Sequence, residues 1–239
     1  MSELLEPFER MLASVAGRDV SPDTRWQAIE DSGYLDALVP ENAGGAGLTL
    51  AEIEPLIRAV GRYVVTVPVA ETMAKRALDA ETLSRPLAAV LAASEIAGLA
   101  ERMLEMSLSY ANDRVQFGKP IGKLQVIQQQ LAVMGEHVLM TRMASQIGCS
   151  QGLAPTLEVA AVAKQVASAE APQIVAIAHA VHGAIGITEE FDLQLYSRRM
   201  HQLRLAHGSE SYWAGVLGKA RVQADHQSSV DFISALRQP

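Results

Sequence analysis

Apolar residues recur every three or four positions along most of this chain, and strict alternation is almost absent. Leu4, Phe8, Met11, Leu12 and Val15 share one helical face, and Gly17 is placed to close that helix. Ser21 followed by Pro22 is a capping residue ahead of a first-turn proline, so a second helix is predicted to run to Gly33. The stretch "LVPENAGGAGLT" (38–49) reads as a loop built from Pro40, Gly44, Gly45 and Gly47. Thr49 and Glu52 have capping-box spacing and open a helix to about Tyr63, with Pro55 early in it. "VPVAETMAKRALDAE" predicts one more short helix.

From about Arg85 the helices lengthen. The run 87–113 contains no breaker except Gly98. Leu124, Ile127, Leu131, Met134 and Val138 form an apolar stripe within 121–147. "CSQGLAP" (149–155) is a turn, with Pro155 starting an Ala- and Val-rich helix over about 156–182. "HGAIGIT" (182–188) breaks it, and helices over about 190–200 and 209–235 follow. Long helices joined by short turns predict an antiparallel four-helix bundle. "YVVTVPV" (63–69) is the one candidate strand, and Pro68 weakens it. The fold class expected is all-α: an N-terminal helical domain over 1–83 and a C-terminal four-helix bundle over 84–239.

Nearly half of the 239 residues are apolar while aromatics are few, which suits a helical core. The net charge of −7 argues against nucleic acid as a partner. A single cysteine, Cys149, excludes an internal disulfide framework, and a reducing cytoplasm is the expected location. "MSELLEPFERM" carries acids rather than a basic region and a long apolar stretch, which reads against a signal peptide. No apolar run approaches membrane-spanning length, so no membrane partner is expected.

Familiar catalytic patterns are missing. A di-iron bundle needs Glu-x-x-His pairs on facing helices, whereas Glu136 and His137 are adjacent and point apart. The six histidines show no zinc spacing. Ser209 and Ser211 lie near His207 without a GxSxG elbow. The glycines of 43–47 do not follow a strand, so they make no dinucleotide fingerprint.

Three loops taken together are more specific. "VPENAGGAGLT", "NDRVQFGKPIGKLQVIQQQLA" and "HGAIGITEEFDLQLYSRRM", in that order, resemble the acyl-CoA dehydrogenase family, over about 25–75 and 85–225. The resemblance implies an FAD enzyme in which a glutamate takes the α-proton of a thioester while the β-hydride passes to the flavin. It also implies that Arg114 binds the FAD pyrophosphate and that Phe117 packs on the dinucleotide seated mainly in a neighbouring subunit. Gln116 and Gly118 belong to the same corner, and Gln125 matches a glutamine that hydrogen-bonds the cofactor. Gly183 and Gly186 match a glycine loop near the adenosine half.

The sequence departs from the family in four places. Ala180 stands where a pyrophosphate-binding glutamine is usual. The 81–85 junction leaves room for a turn where the family has a middle β-domain. His207 occupies the usual position of the catalytic glutamate, and the alternative position for that base is Ala88. Pro86 and Ala89 replace a substrate-binding Asp-x-x-Arg pattern. The resemblance therefore implies a non-catalytic subunit of a heteromeric acyl-CoA dehydrogenase acting on a bulky, steroid-type acyl-CoA. Its partner would be a full-length homologue that binds most of the acyl-CoA and shares the FAD. The rival expectation is a degenerate homo-oligomeric scaffold that binds no FAD.

Overall fold

The computed structural model describes residues 2–16, 20–225 and 228–236. Helices α1 (Ser2–Val15), α2 (Pro22–Asp31), α3 (Leu50–Arg62) and α4 (Val69–Leu78) come first. The long helices α5 (Arg85–Asp113), α6 (Gln125–Cys149) and α7 (Leu157–His182) follow, then α8 (Leu193–Leu205), α9 (Glu210–Gln223) and α10 (Ser229–Ala235). The only strands among the described residues are two-residue β1 (Val115–Gln116) and β2 (Lys119–Pro120). No sheet lies between α4 and α5; Asp79, in the left-handed region, and a few further residues join them. Among the described residues, no helix is long and apolar enough to cross a membrane.

Local chemistry sets most boundaries. The Ser21 hydroxyl accepts from the Thr24 N–H, and Thr49 and Glu52 close a reciprocal capping box. Pro55 sits inside α3, one turn deeper than the first-turn position at which a missing N–H is harmless. The second helix stops at Asp31, before Gly33, which takes a left-handed φ of 76°. The expected closure of α1 at Gly17 lies outside the described residues. Thr156, not Pro155, caps α7. The expected helix over 209–235 is two: α9 ends where Ala224 turns extended, and Ser228 with Asp231 makes a fresh capping box for α10. The candidate strand 63–69 is not a strand; Val64 there adopts a left-handed φ of 49°.

Helices α5, α6 and α7 pack on one another, α9 lies against α7, and α8 bridges α5 and α7. One apolar core runs from Phe8 and Ile53 through Leu91 and Met134 to Trp213. The expected boundary near 83–84 thus falls in a surface turn while the core continues beneath it. Helix α3 reaches α5 backbone to backbone. A Cβ on Gly98 would lie 1.8 Å from the Arg58 carbonyl oxygen, and one on Gly61 would lie 2.0 Å from that of Glu95. Ion pairs flank this crossing, Arg58 with Glu101 at 2.5 Å and Arg62 with Glu105 at 2.6 Å. Inside, Ser145 donates to the buried Glu54 carboxylate at 2.7 Å and contacts Ser94 at 2.8 Å, tying α3, α5 and α6.

Candidate functional site

Helix α5 ends because Arg114 turns extended, its N–H still donating to the Tyr110 carbonyl. The chain then makes a two-residue hairpin with Val115 opposite Pro120 and Gln116 opposite Lys119. Both turn residues have positive φ, 54° at Phe117 and 78° at Gly118, as a type I′ turn requires. Asparagine or glycine suits the first of these positions; a bulky aromatic there is strained. Phe117 is nevertheless 88% exposed, so packing within this chain does not hold it there. The Ile121 N–H donates to the Arg114 carbonyl at 2.8 Å, and buried Ile121 anchors the hairpin.

Opposite this corner, α7 ends at Gly183, whose φ of 65° and ψ of −145° are open to glycine alone. The His182 ring stacks on Tyr110, centroids 4.6 Å apart, and contacts Phe191 at 4.9 Å. Its Nδ1 is 2.8 Å from the Ala178 carbonyl, and burial pushes its pKa below the usual histidine range. This stack fixes the ends of α5 and α7 relative to one another. Between them lies a pocket of about 420 Å³ bordered by Arg114, Gln116, Leu124, Ala180, His182 and Gly183. Among the described residues Arg114 has no ion pair, and the α6 N-terminus at Leu124 carries no side-chain cap. A free guanidinium and uncapped amide donors beside a glycine loop form an anion-receptive wall.

The sequence-selected residues are therefore distributed unevenly. Arg114, Gln116 and Gly183 border the pocket, and Phe117 and Gly118 form the hairpin tip beside it. Gln125 is exposed as the first residue of α6. Gly186 is buried away from the opening, where a Cβ would come within 3.1 Å of His182 and Leu193. Ala180 borders the pocket and brings no polar atom to it. Tyr110, His182 and Phe191 escaped sequence reading; Tyr110, one helical turn before Arg114, was the available signal.

His207 lies elsewhere. Its backbone is left-handed with φ of 59°, and its Nε2 is 3.5 Å from Glu71 Oε1. That contact holds the Glu71 carboxyl below its usual pKa. Ala88 and His207 share a second cleft of about 420 Å³ near the start of α5. At 1.5 Å per residue, Ala88 and Arg114 are about 40 Å apart along that helix. Below the cleft, buried Glu95 accepts from Arg199 at 2.8 Å; burial raises its pKa and Arg199 opposes the rise. Lys164, fully buried, donates to Ser168 Oγ and to the carbonyls of Arg204 and Gly208, clamping the turn that carries His207. No group of three or more potential metal ligands occurs among the described residues.

Residues 68–220 match the family profile described as acyl-CoA dehydrogenase, C-terminal domain. The acyl-CoA dehydrogenase IpdE2 of Mycolicibacterium smegmatis is 37% identical over 136 residues, 57% of this chain and 40% of that protein. The chain thus aligns with well under half the length of this curated relative. Among solved structures, a chain of the Tcur3481–Tcur3483 steroid ACAD superposes with a TM-score of 0.80, covering 93% of this chain and 97% of that one at 18% identity. A chain of the ChsE4–ChsE5 complex from Mycobacterium tuberculosis superposes with a TM-score of 0.78, covering 94% and 98% at 15% identity. At these identities the superpositions establish a shared fold.

Proposed function

Because the chain belongs to the acyl-CoA dehydrogenase family, we propose that it is the non-catalytic subunit of a heteromeric, FAD-dependent acyl-CoA dehydrogenase. Its pocket at the ends of α5 and α7 receives the diphosphate and adenosine half of an FAD seated mainly in a full-length partner. The observation that carries this reading is the corner itself: an unpaired Arg114 beside a strained, exposed Phe117 at the mouth of an anion-receptive pocket. A local rule broken with no gain inside the chain points to an external ligand. Arg114 fits a diphosphate oxygen, Gly183 admits close backbone approach, and Phe117 offers an apolar face. FAD supplies the hydride acceptor; this chain binds and orients it.

Two further features support a partner. Helix α6 presents Val126, Leu139 and Met143, each more than half exposed, on its outer surface. The full-length superpositions are on chains of complexes described by two component names. The steroid ACAD among them suggests a bulky acyl-CoA for this protein too. The α-proton passes to the partner's glutamate, since the two family positions for that base are His207 and Ala88 here. Ala180 favours the rival, a scaffold without FAD, because it withdraws one polar contact from the pocket.

The test is flavin retention by the complex reconstituted with its full-length partner. Arg114→Ala is expected to weaken FAD binding about tenfold to a hundredfold, as loss of a charge-assisted contact does. Phe117→Ala should lower flavin content with an unchanged melting temperature, because that ring is not packed in this chain. Full flavin occupancy in both variant complexes would eliminate the shared-site reading and leave the scaffold.

A further inference from the structure

Apolar side chains that gain little burial in this chain gather where the Arg114 pocket opens. Phe117 at the hairpin tip, Val126 in the first turn of α6 and Ile187 at the end of the 183–187 turn are each more than half exposed. Each follows closely in sequence, or directly precedes, a residue that lines the pocket: Gln116, Ile127 and Ile185. They stand on three of the segments that enclose it. Charged residues come next along the same stretches, with Lys119 and Lys123 exposed after Phe117 and Glu189 and Glu190 exposed after Ile187. An apolar set giving way to charge has the make-up of a protein interface, whose centre is depleted in charge and whose rim is polar.

The pocket itself names the occupant. An FAD whose diphosphate and adenosine half enters here has its other half in the partner, so the partner's surface closes over the mouth. The exposed apolar residues at that mouth are the surface it meets. An open mouth would leave Arg114 in water, where a pair with a diphosphate is weak.

We propose that Val126 and Ile187, beside Phe117, form an apolar collar on which the full-length partner seats, keeping water from the Arg114 contact. Surroundings that exclude water are what let a central polar contact carry binding energy. The inference rests on the shared-flavin reading and divides its labour: Val126 and Ile187 hold the partner protein, and Arg114 holds the cofactor. Assembly therefore needs no flavin.

Sedimentation velocity of the flavin-stripped chain mixed with its full-length partner is the direct test. The wild-type chains are expected to assemble without FAD. Val126→Asp combined with Ile187→Asp, both at exposed positions, should weaken assembly about a hundredfold with an unchanged circular dichroism spectrum. Arg114→Ala should assemble as the wild type does. With FAD restored, Ile187→Ser trims apolar surface without adding charge and should release flavin from the assembled complex about tenfold faster. Assembly that requires FAD, or that survives the double substitution, overturns the collar and leaves the shared-flavin reading intact. Wild-type flavin release from the Ile187→Ser complex overturns the exclusion of water. Full flavin retention by the Arg114→Ala complex defeats the shared-flavin reading, and the collar with it.

Discussion

Lys164 offers a test of how the α8–α9 turn is held. Its side chain is fully buried and donates at 2.8 Å to both Ser168 Oγ and the Arg204 carbonyl, and at 3.1 Å to the Gly208 carbonyl. Burial lowers its pKa from 10.5 to about 8, with Glu210 opposing the fall and Arg204 adding to it. Folding below pH 8 therefore places an ammonium where it is disfavoured, a penalty present in full while both states are protonated. Between pH 8 and 10.5 the unfolded chain binds more protons than the folded one, so this group makes stability rise with pH. The span corresponds to on the order of 3 kcal/mol. Lys164→Met keeps the length and apolar bulk but cannot titrate. Urea unfolding of both proteins across this range should show their stability difference moving toward the wild type by that amount. Other lysines and tyrosines cancel in the difference. Parallel pH profiles would refute the reasoning and mean that the three oxygen acceptors keep the buried ammonium fully charged.

Two other outcomes are expected. Gly98→Ala should destabilise the fold by about 3 kcal/mol or more in urea unfolding, at the upper end of overpacking, because its Cβ would strike the Arg58 backbone rather than a movable side chain. Cys149, fully buried with its thiol pushed up to about 12 by burial, should resist iodoacetamide at about pH 8 in the native protein and react after denaturation.

What could be read beforehand was what is local. The caps at Ser21 and Thr49 depend on partners three residues away, and so does the Ser228–Asp231 box, which divides the helix expected over 209–235. The Arg114–Phe117 corner was legible as a motif, yet the hairpin was not, because turn rules look for asparagine or glycine where Phe117 stands. The pocket depends on Tyr110, His182 and Phe191 meeting across three segments, which no spacing encodes. The approach of Glu71 to His207 is likewise a product of tertiary packing.

Beyond capping α4 at Asp79 and α5 at Ser84, the 79–84 connection does little to hold the first helices on the bundle, because α3 meets α5 in a glycine-to-glycine crossing. Helix α3 is held on α5 by the Gly61 and Gly98 backbones and their flanking ion pairs, and the other early helices by the shared apolar core, not by the peptide that leads into α5. A connection of that kind is a tether, and doubling a flexible tether's length costs only about 0.6 kcal/mol. Such a point tolerates grafting: a whole domain can enter or leave the chain there while the two flanking parts keep their mutual pose. The molecule is thereby a single packed body with a permissive connection on its surface, at which added length requires no redesign of the helices on either side.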